Sequence, residues 1–151
     1  MALRDSEQVV LLEQMKRKAK KSGPKFNNRH VKLDGYTFDS IAEAGRYVIL
    51  VDAKRAEKIA KLRVHPKYEF DCGGTFSPDF SYYKVAPGRP SRLTLVIEDV
   101  KSDPTRTSLY KRNRAQMRHE YGLEIVEVEM DAVVAQALVA GYAGSQERKH
   151  A

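Results

Sequence analysis

The stretch "FSPDFSYYKVAPGRPSRLTLVIEDVKS", residues 76–102, decides how this chain folds. Residues 76–85 and 93–101 are rich in β-branched, aromatic and apolar side chains, and "APGRPSR" between them is turn-forming, so the stretch reads as a β-hairpin. With Arg89 at the centre of the turn, residues equidistant from it pair across the ladder. Val85 then faces Leu93, Tyr83 faces Leu95 and Asp79 faces Asp99. Directly opposed residues hold their Cβ atoms about 4.5–5.5 Å apart and project from one face. Lys101 lies two residues beyond Asp99 and shares its face, whereas Glu98 points to the other. A slip of one residue would separate the two acids.

Two carboxylates at that distance repel unless a shared proton, a nearby cation or a bound metal offsets them. Lys101 alone leaves the charge unbalanced. A divalent, oxygen-preferring ion fits better, and magnesium typically takes one or two carboxylates with water and phosphate oxygens. Lys101 is then free to orient or deprotonate a water, or to steady charge on a phosphate. Taken alone, the same residues also suit a surface hairpin with scattered charges.

Around the hairpin the chain alternates helix and strand signals. Residues 3–21 read as a basic helix, broken by "KSGPKFNN". "HVKLDGYTF" reads as a hairpin with a type I′ turn at Asp34-Gly35. "DSIAEAGRYVILVDAKRAEKI" reads as a helix with an apolar stripe at Ile41, Ala44, Val48 and Val51. Ser40 suits its N-cap, and Glu43 three residues on either completes a capping box or offers a third carboxylate beside the hairpin end; one side chain cannot do both. "VHPKYEF" reads as a strand before the hairpin. After it come a helix, "TSLYKRNRAQMRHEYG", a strand, "LEIVEVEM", and a last helix, "DAVVAQALVAGYAG". The order α-ββ-α-βββ-α-β-α packs as a mixed sheet flanked by helices.

The 151 residues suffice for one domain with a core, and no apolar run reaches membrane-spanning length. The order of charges near the start is wrong for a secretion signal. A single cysteine, Cys72, excludes a disulfide framework and makes a cytoplasmic protein the expectation. The net charge of +7 is uneven. Residues 1–30 carry eight Lys/Arg against three acids, residues 101–118 six against one, and residues 119–151 two against six. Such clusters suit a polyanion partner, most simply nucleic acid, or a solvated basic face. On residues 108–122, Lys111, Arg114 and Arg118 share one helical face, with Arg112 beside it; Leu109, Met117 and one of the tyrosines Tyr110 and Tyr121 can supply the core side. The N-terminal cluster of Lys16, Arg17, Lys18, Lys20 and Lys21 suits a DNA-gripping arm or a solubilising tail equally. The four histidines are scattered, and none is given a catalytic role; His65 reads as structural. Tyr82 and Tyr83 alternate on their strand as core or groove wall.

The ordered set of Glu43 on a helix, Pro78-Asp79, and Asp99-Val100-Lys101 resembles the PD-(D/E)XK nuclease superfamily. The segments "DGYTFDSIAEAGRY", "HPKYEF", "PDFSYY" and "IEDVKS" resemble, more narrowly, a small phage and prophage nuclease family similar to phage Holliday-junction resolving endonucleases. The resemblance spans residues 30–130 and implies an α/β, restriction-endonuclease-like core of order α-β-β-β-α-β. It implies that Asp79, Asp99, the Val100 carbonyl and Glu43 are metal ligands, and that Lys101 is the catalytic lysine. It departs from the usual pattern at Ser102, where glycine is common, and at Asp99, where glutamate is commoner.

The expectation is therefore a basic helical arm over 1–29, a nuclease domain over 30–144 and a tail over 145–151. Its function is magnesium-dependent hydrolysis of DNA phosphodiesters, with manganese substituting, on branched or junction DNA in phage recombination, by a homodimer. The alternatives are a nucleic-acid-binding module with no chemistry, or a nicking subunit of a larger recombination or transposition complex.

Overall fold

The computed structural model describes residues 30–102 and 105–150; the expected basic arm, with Lys16, Arg17, Lys18, Lys20 and Lys21, lies outside them. The chain forms β1 (Val31–Leu33), β2 (Tyr36–Phe38), α1 (Ile41–Arg55), β3 (Ile59–Val64), β4 (Tyr68–Glu69), β5 (Thr75–Phe76), β6 (Phe80–Ala86) and β7 (Arg89–Val100). It continues as α2 (Ser108–Gln116), a π-helical turn (Met117–Tyr121), β8 (Ile125–Val128) and α3 (Ala132–Lys149). The fold is mixed α/β. Its four-stranded sheet has the order β3-β6-β7-β8, antiparallel except for the parallel β7–β8 pair. β1–β2 and β4–β5 are separate hairpins.

The central hairpin has the expected register: Val85 pairs with Leu93, Tyr83 with Leu95 and Phe80 with Glu98. The turn differs from expectation. It is the two-residue Pro87-Gly88, with Gly88 at φ 68°, and a bulge after Val85 restores the frame. At β1–β2 both Asp34 and Gly35 have positive φ, as a type I′ turn requires.

The strand before the hairpin is a correction. "VHPKYEF" is not the sheet strand; Ile59–Val64 is, and it pairs with β6. The helix expected to run to Ile59 stops at Arg55, and Glu57 turns the chain with φ 58°. The period of two is broken inside β3 by a bulge at Lys61, φ 54°, so Ile59, Leu62 and Val64 face inward at uneven spacing. Such a strand carries no alternation to read. The last helix also runs past the expected domain limit at 144, to Lys149.

The sheet is covered on both faces. Phe80, Tyr82 and Ile59 pack with Ala44, Tyr47, Val48 and Leu50 of α1 and with Val139 and Tyr142 of α3. Ile97 and Ile125 pack with Met117 and Phe70 on the opposite face. α1 is wedged between the sheet and α3, which is why its buried surface is wider than the expected stripe and includes Tyr47 and Leu50. On α2, Tyr110 and the following Met117 supply the core side; Leu109 does not, being 57% exposed, and Thr107 caps the helix.

α1 and α3 meet at Gly45, where an added Cβ would lie 2.6 Å from the Ala135 Cβ and 2.7 Å from its Cα. Gly45→Ala is therefore expected to lower stability by about 1–2 kcal/mol in urea unfolding, since overpacking outweighs the gain in helix propensity. The double variant Gly45→Ala/Ala135→Gly should recover most of that loss.

Candidate metal centre

β3 ends, β6 begins, β7 ends and α1 begins at the same edge of the sheet, and the charged residues collect there. Asp79 and Asp99 meet across the hairpin end. The Asp79 N–H donates to Asp99 Oδ1 at 3.1 Å, and the Val100 N–H donates to Asp79 Oδ2 at 2.7 Å. Asp99 is only 2% exposed, and its Oδ2 accepts no hydrogen bond. The Lys101 ammonium lies 3.2 Å from that oxygen as an ion pair, without the alignment of a hydrogen bond. It also sits 4.5 Å above the ring of Tyr110, whose hydroxyl donates to Glu127 at 3.1 Å. Tyr110 thus ties α2 to the lysine by a cation–π contact.

Glu43 lies on the first turn of α1. Its N–H donates to Ser40 Oγ at 3.1 Å, while its carboxylate accepts from Ser40 Oγ and from the Asp39 N–H, each at 3.2 Å. It therefore caps its own helix here, with Asp39 taking the place of the usual N-cap amide. The same carboxylate stands 4.0 Å from His65 Nε2, and one donor atom each of Glu43, His65 and Asp79 lie within 4.8 Å of one another. Glu43, Val100, Lys101 and Ser102 line a cleft of about 510 Å³. His65 and Asp79 line an adjoining depression with Asp39.

The electrostatics favour a cation. Burial, then the charges of Asp99 and Glu43, push the Asp79 carboxyl up to about 9. Burial also raises Glu43 above the usual carboxylate range. Lys101 is the one ammonium in contact with these acids among the described residues. The donors are hard oxygens with one imidazole, and a buried carboxylate oxygen stands without a hydrogen bond, so the residues present fit a divalent ion.

Glu98 does face away from this cluster. It is 1% exposed and accepts from Arg46 Nε at 2.5 Å, Arg46 Nη2 at 2.9 Å and the Tyr82 hydroxyl at 2.7 Å. The basic stripe of α2 is partly spoken for. Arg114 pairs with Glu127 at 3.1 Å and Arg118 with Glu124 at 2.9 Å through Nη2, whereas Lys111 and Arg112 are exposed with no ion pair among the described residues. Arg106 pairs with Glu127 at 2.8 Å, making that glutamate the junction of α2 and β8.

His65 is the residue that sequence reasoning passed over. Val64 pairs with Phe80, so the next pair along is His65 with Asp79, and the His65 N–H donates to the Asp79 carbonyl at 2.9 Å. The same equidistance that placed Asp79 would have found it, had β3 been legible through its bulge.

No curated protein and no solved structure matches the chain. A family model described as "Protein of unknown function (DUF1064)" matches residues 23–128, which takes in α1, the whole sheet and every acid of the cluster. The chain belongs to the DUF1064 family.

Proposed function

We propose that the protein is a magnesium-dependent endonuclease that hydrolyses DNA phosphodiesters. The observation that carries this is the convergence of Asp79, Asp99 and Lys101 with Glu43 at one sheet edge. The order α1, β3, β6, β7, α2, β8, with only the last strand parallel to its neighbour, supports a restriction-endonuclease-like core.

Asp79 and Asp99, with the Val100 carbonyl, would hold the ion, and Glu43 would join them by giving up its capping bonds from Ser40 Oγ and the Asp39 N–H. A divalent ion bound there supplies Lewis acidity and a water acidic enough to attack near neutral pH. Lys101 is held between Asp99 and the Tyr110 ring, so its ammonium is positioned rather than free. From there it orients the attacking water or steadies charge on the phosphate. Lys111 and Arg112, exposed on the helix that carries Tyr110, offer phosphate contacts that fix DNA without reading bases. Branched or junction DNA is the proposed substrate. Resolving a junction takes two symmetric cuts, so the working unit is a homodimer.

A panel of four-way junction, duplex and single-stranded DNA, incubated with Mg²⁺ or Mn²⁺, tests this. Metal-dependent cleavage of the junction is expected from the wild type and none above background from Asp79→Ala. Equal cleavage by both proteins would sink the assignment. The capping role of Glu43 favours a second reading, a DNA-binding module with no chemistry. Salt-sensitive DNA binding without cleavage on any substrate would select it.

A further inference from the structure

We infer that His65 is itself a ligand of the metal ion, binding through Nε2 together with Glu43 and Asp79, and that it gives the centre a preference for a transition-type divalent ion such as Mn²⁺ over Mg²⁺. This deepens the nuclease reading and rests on it for the site's purpose, though not for its ability to bind metal.

Three observations point to the imidazole. First, Nε2 lies 4.0 Å from a Glu43 oxygen, and a donor atom from each of the three residues falls within 4.8 Å of the others. An octahedral ion with bonds of about 2.1 Å holds neighbouring donors about 3 Å apart, so closing the set takes side-chain shifts of roughly 1 Å, with Glu43 released from Ser40 Oγ and the Asp39 N–H. Second, the backbone and ring of His65 are fixed. His65 has φ 49°, a left-handed conformation that histidine adopts more readily than most residues. Its N–H bond to the Asp79 carbonyl fixes that backbone, and its ring rests 5.7 Å from that of Phe38, leaving Nε2 toward the acids rather than the core. Third, the neighbouring Asp99 Oδ2 is buried and accepts no hydrogen bond, and among the described residues the Lys101 ammonium 3.2 Å from it is the one ammonium in contact with the acids beside the imidazole.

The donor set follows hard and soft preference. Carboxylates suit Mg²⁺ and Mn²⁺ alike, whereas an imidazole nitrogen adds affinity for a transition ion and little for Mg²⁺.

The test is metal binding by the full chain, with Mn²⁺ followed through the paramagnetic resonance of the free ion and Mg²⁺ by competition. His65→Asn and His65→Gly are the informative variants, because both residues tolerate positive φ and the fold is not put at risk. We expect each to weaken Mn²⁺ at least tenfold while changing Mg²⁺ less than threefold, and free imidazole to restore part of the Mn²⁺ affinity of His65→Gly. Wild-type Mn²⁺ affinity in both variants, or an equal loss for both ions, would overturn the inference. The wild type's cleavage panel is read separately: tight Mn²⁺ binding dependent on His65 with no DNA cleaved sinks the nuclease reading and leaves the ligand assignment standing.

Discussion

Lys101→Ala should lose on the order of 10²–10⁴-fold in the rate of metal-dependent DNA cleavage, the range expected when a positioned proton-transfer or charge-stabilising group is removed. DNA affinity should change little, because Lys101 is mostly buried, at 17% exposure, and is one of many cations. The effect should therefore fall on kcat, measured in single turnover with saturating enzyme, and not on binding measured without metal. Lys101→Arg is a sharper probe. A guanidinium keeps the charge but not the compact ammonium that fits between Asp99 Oδ2 and the Tyr110 ring, so recovery should be slight. A Lys101→Ala protein that cuts at the wild-type rate would remove the lysine from the mechanism. Tyr110→Leu should fall between, since it leaves the ammonium in place without its aromatic floor.

Glu98→Ala should produce the largest loss of stability, about 3–5 kcal/mol, with the midpoint of thermal unfolding lowered by roughly 6–20 °C. Glu98 is 1% exposed and satisfies both the Arg46 guanidinium and the buried Tyr82 hydroxyl. Truncation strands a charge and a hydroxyl together, and each uncompensated buried group is costly. Arg46 is 21% exposed and can reach water in part, which places the expected value toward the lower end. The adjacent acid should behave differently. Asp99→Asn relieves repulsion with Asp79 but removes the counter-charge of the Lys101 ammonium, so the two effects offset in part and the metal-free fold should lose clearly less than with Glu98→Ala, while metal binding weakens. Similar losses for Glu98→Ala and Asp99→Asn would contradict the division of labour between the two faces of β7.

That division was legible from the sequence. Strand residues alternate faces by geometry, so Asp99 and Lys101 had to share a face that excludes Glu98. The register of the hairpin agrees with the one that follows from centring the turn on Arg89, even though the turn itself lies at Pro87-Gly88 and a bulge after Val85 absorbs the difference. What Glu98 does on its own face was not legible, because Arg46 lies 52 residues away on α1 and only packing brings it there. The fate of the basic stripe was hidden for the same reason. Lys111, Arg114 and Arg118 do recur at helical spacing, but the acids that engage Arg114 and Arg118 belong to β8 and its approach.

Local chemistry, then, was in the sequence: the turn at Asp34-Gly35, the Ser40 cap, the alternation that sends Asp99 toward Asp79. These depend on residues within one or two turns of chain, where the backbone leaves few choices. Tertiary structure alone decided that β3 begins at Ile59, that its bulge carries His65 to the edge of the sheet, and that His65, Glu43 and Asp79 stand together there. A bulge erases the period by which a strand is read, and a meeting of three distant segments is set by how layers pack, which no short stretch of sequence contains.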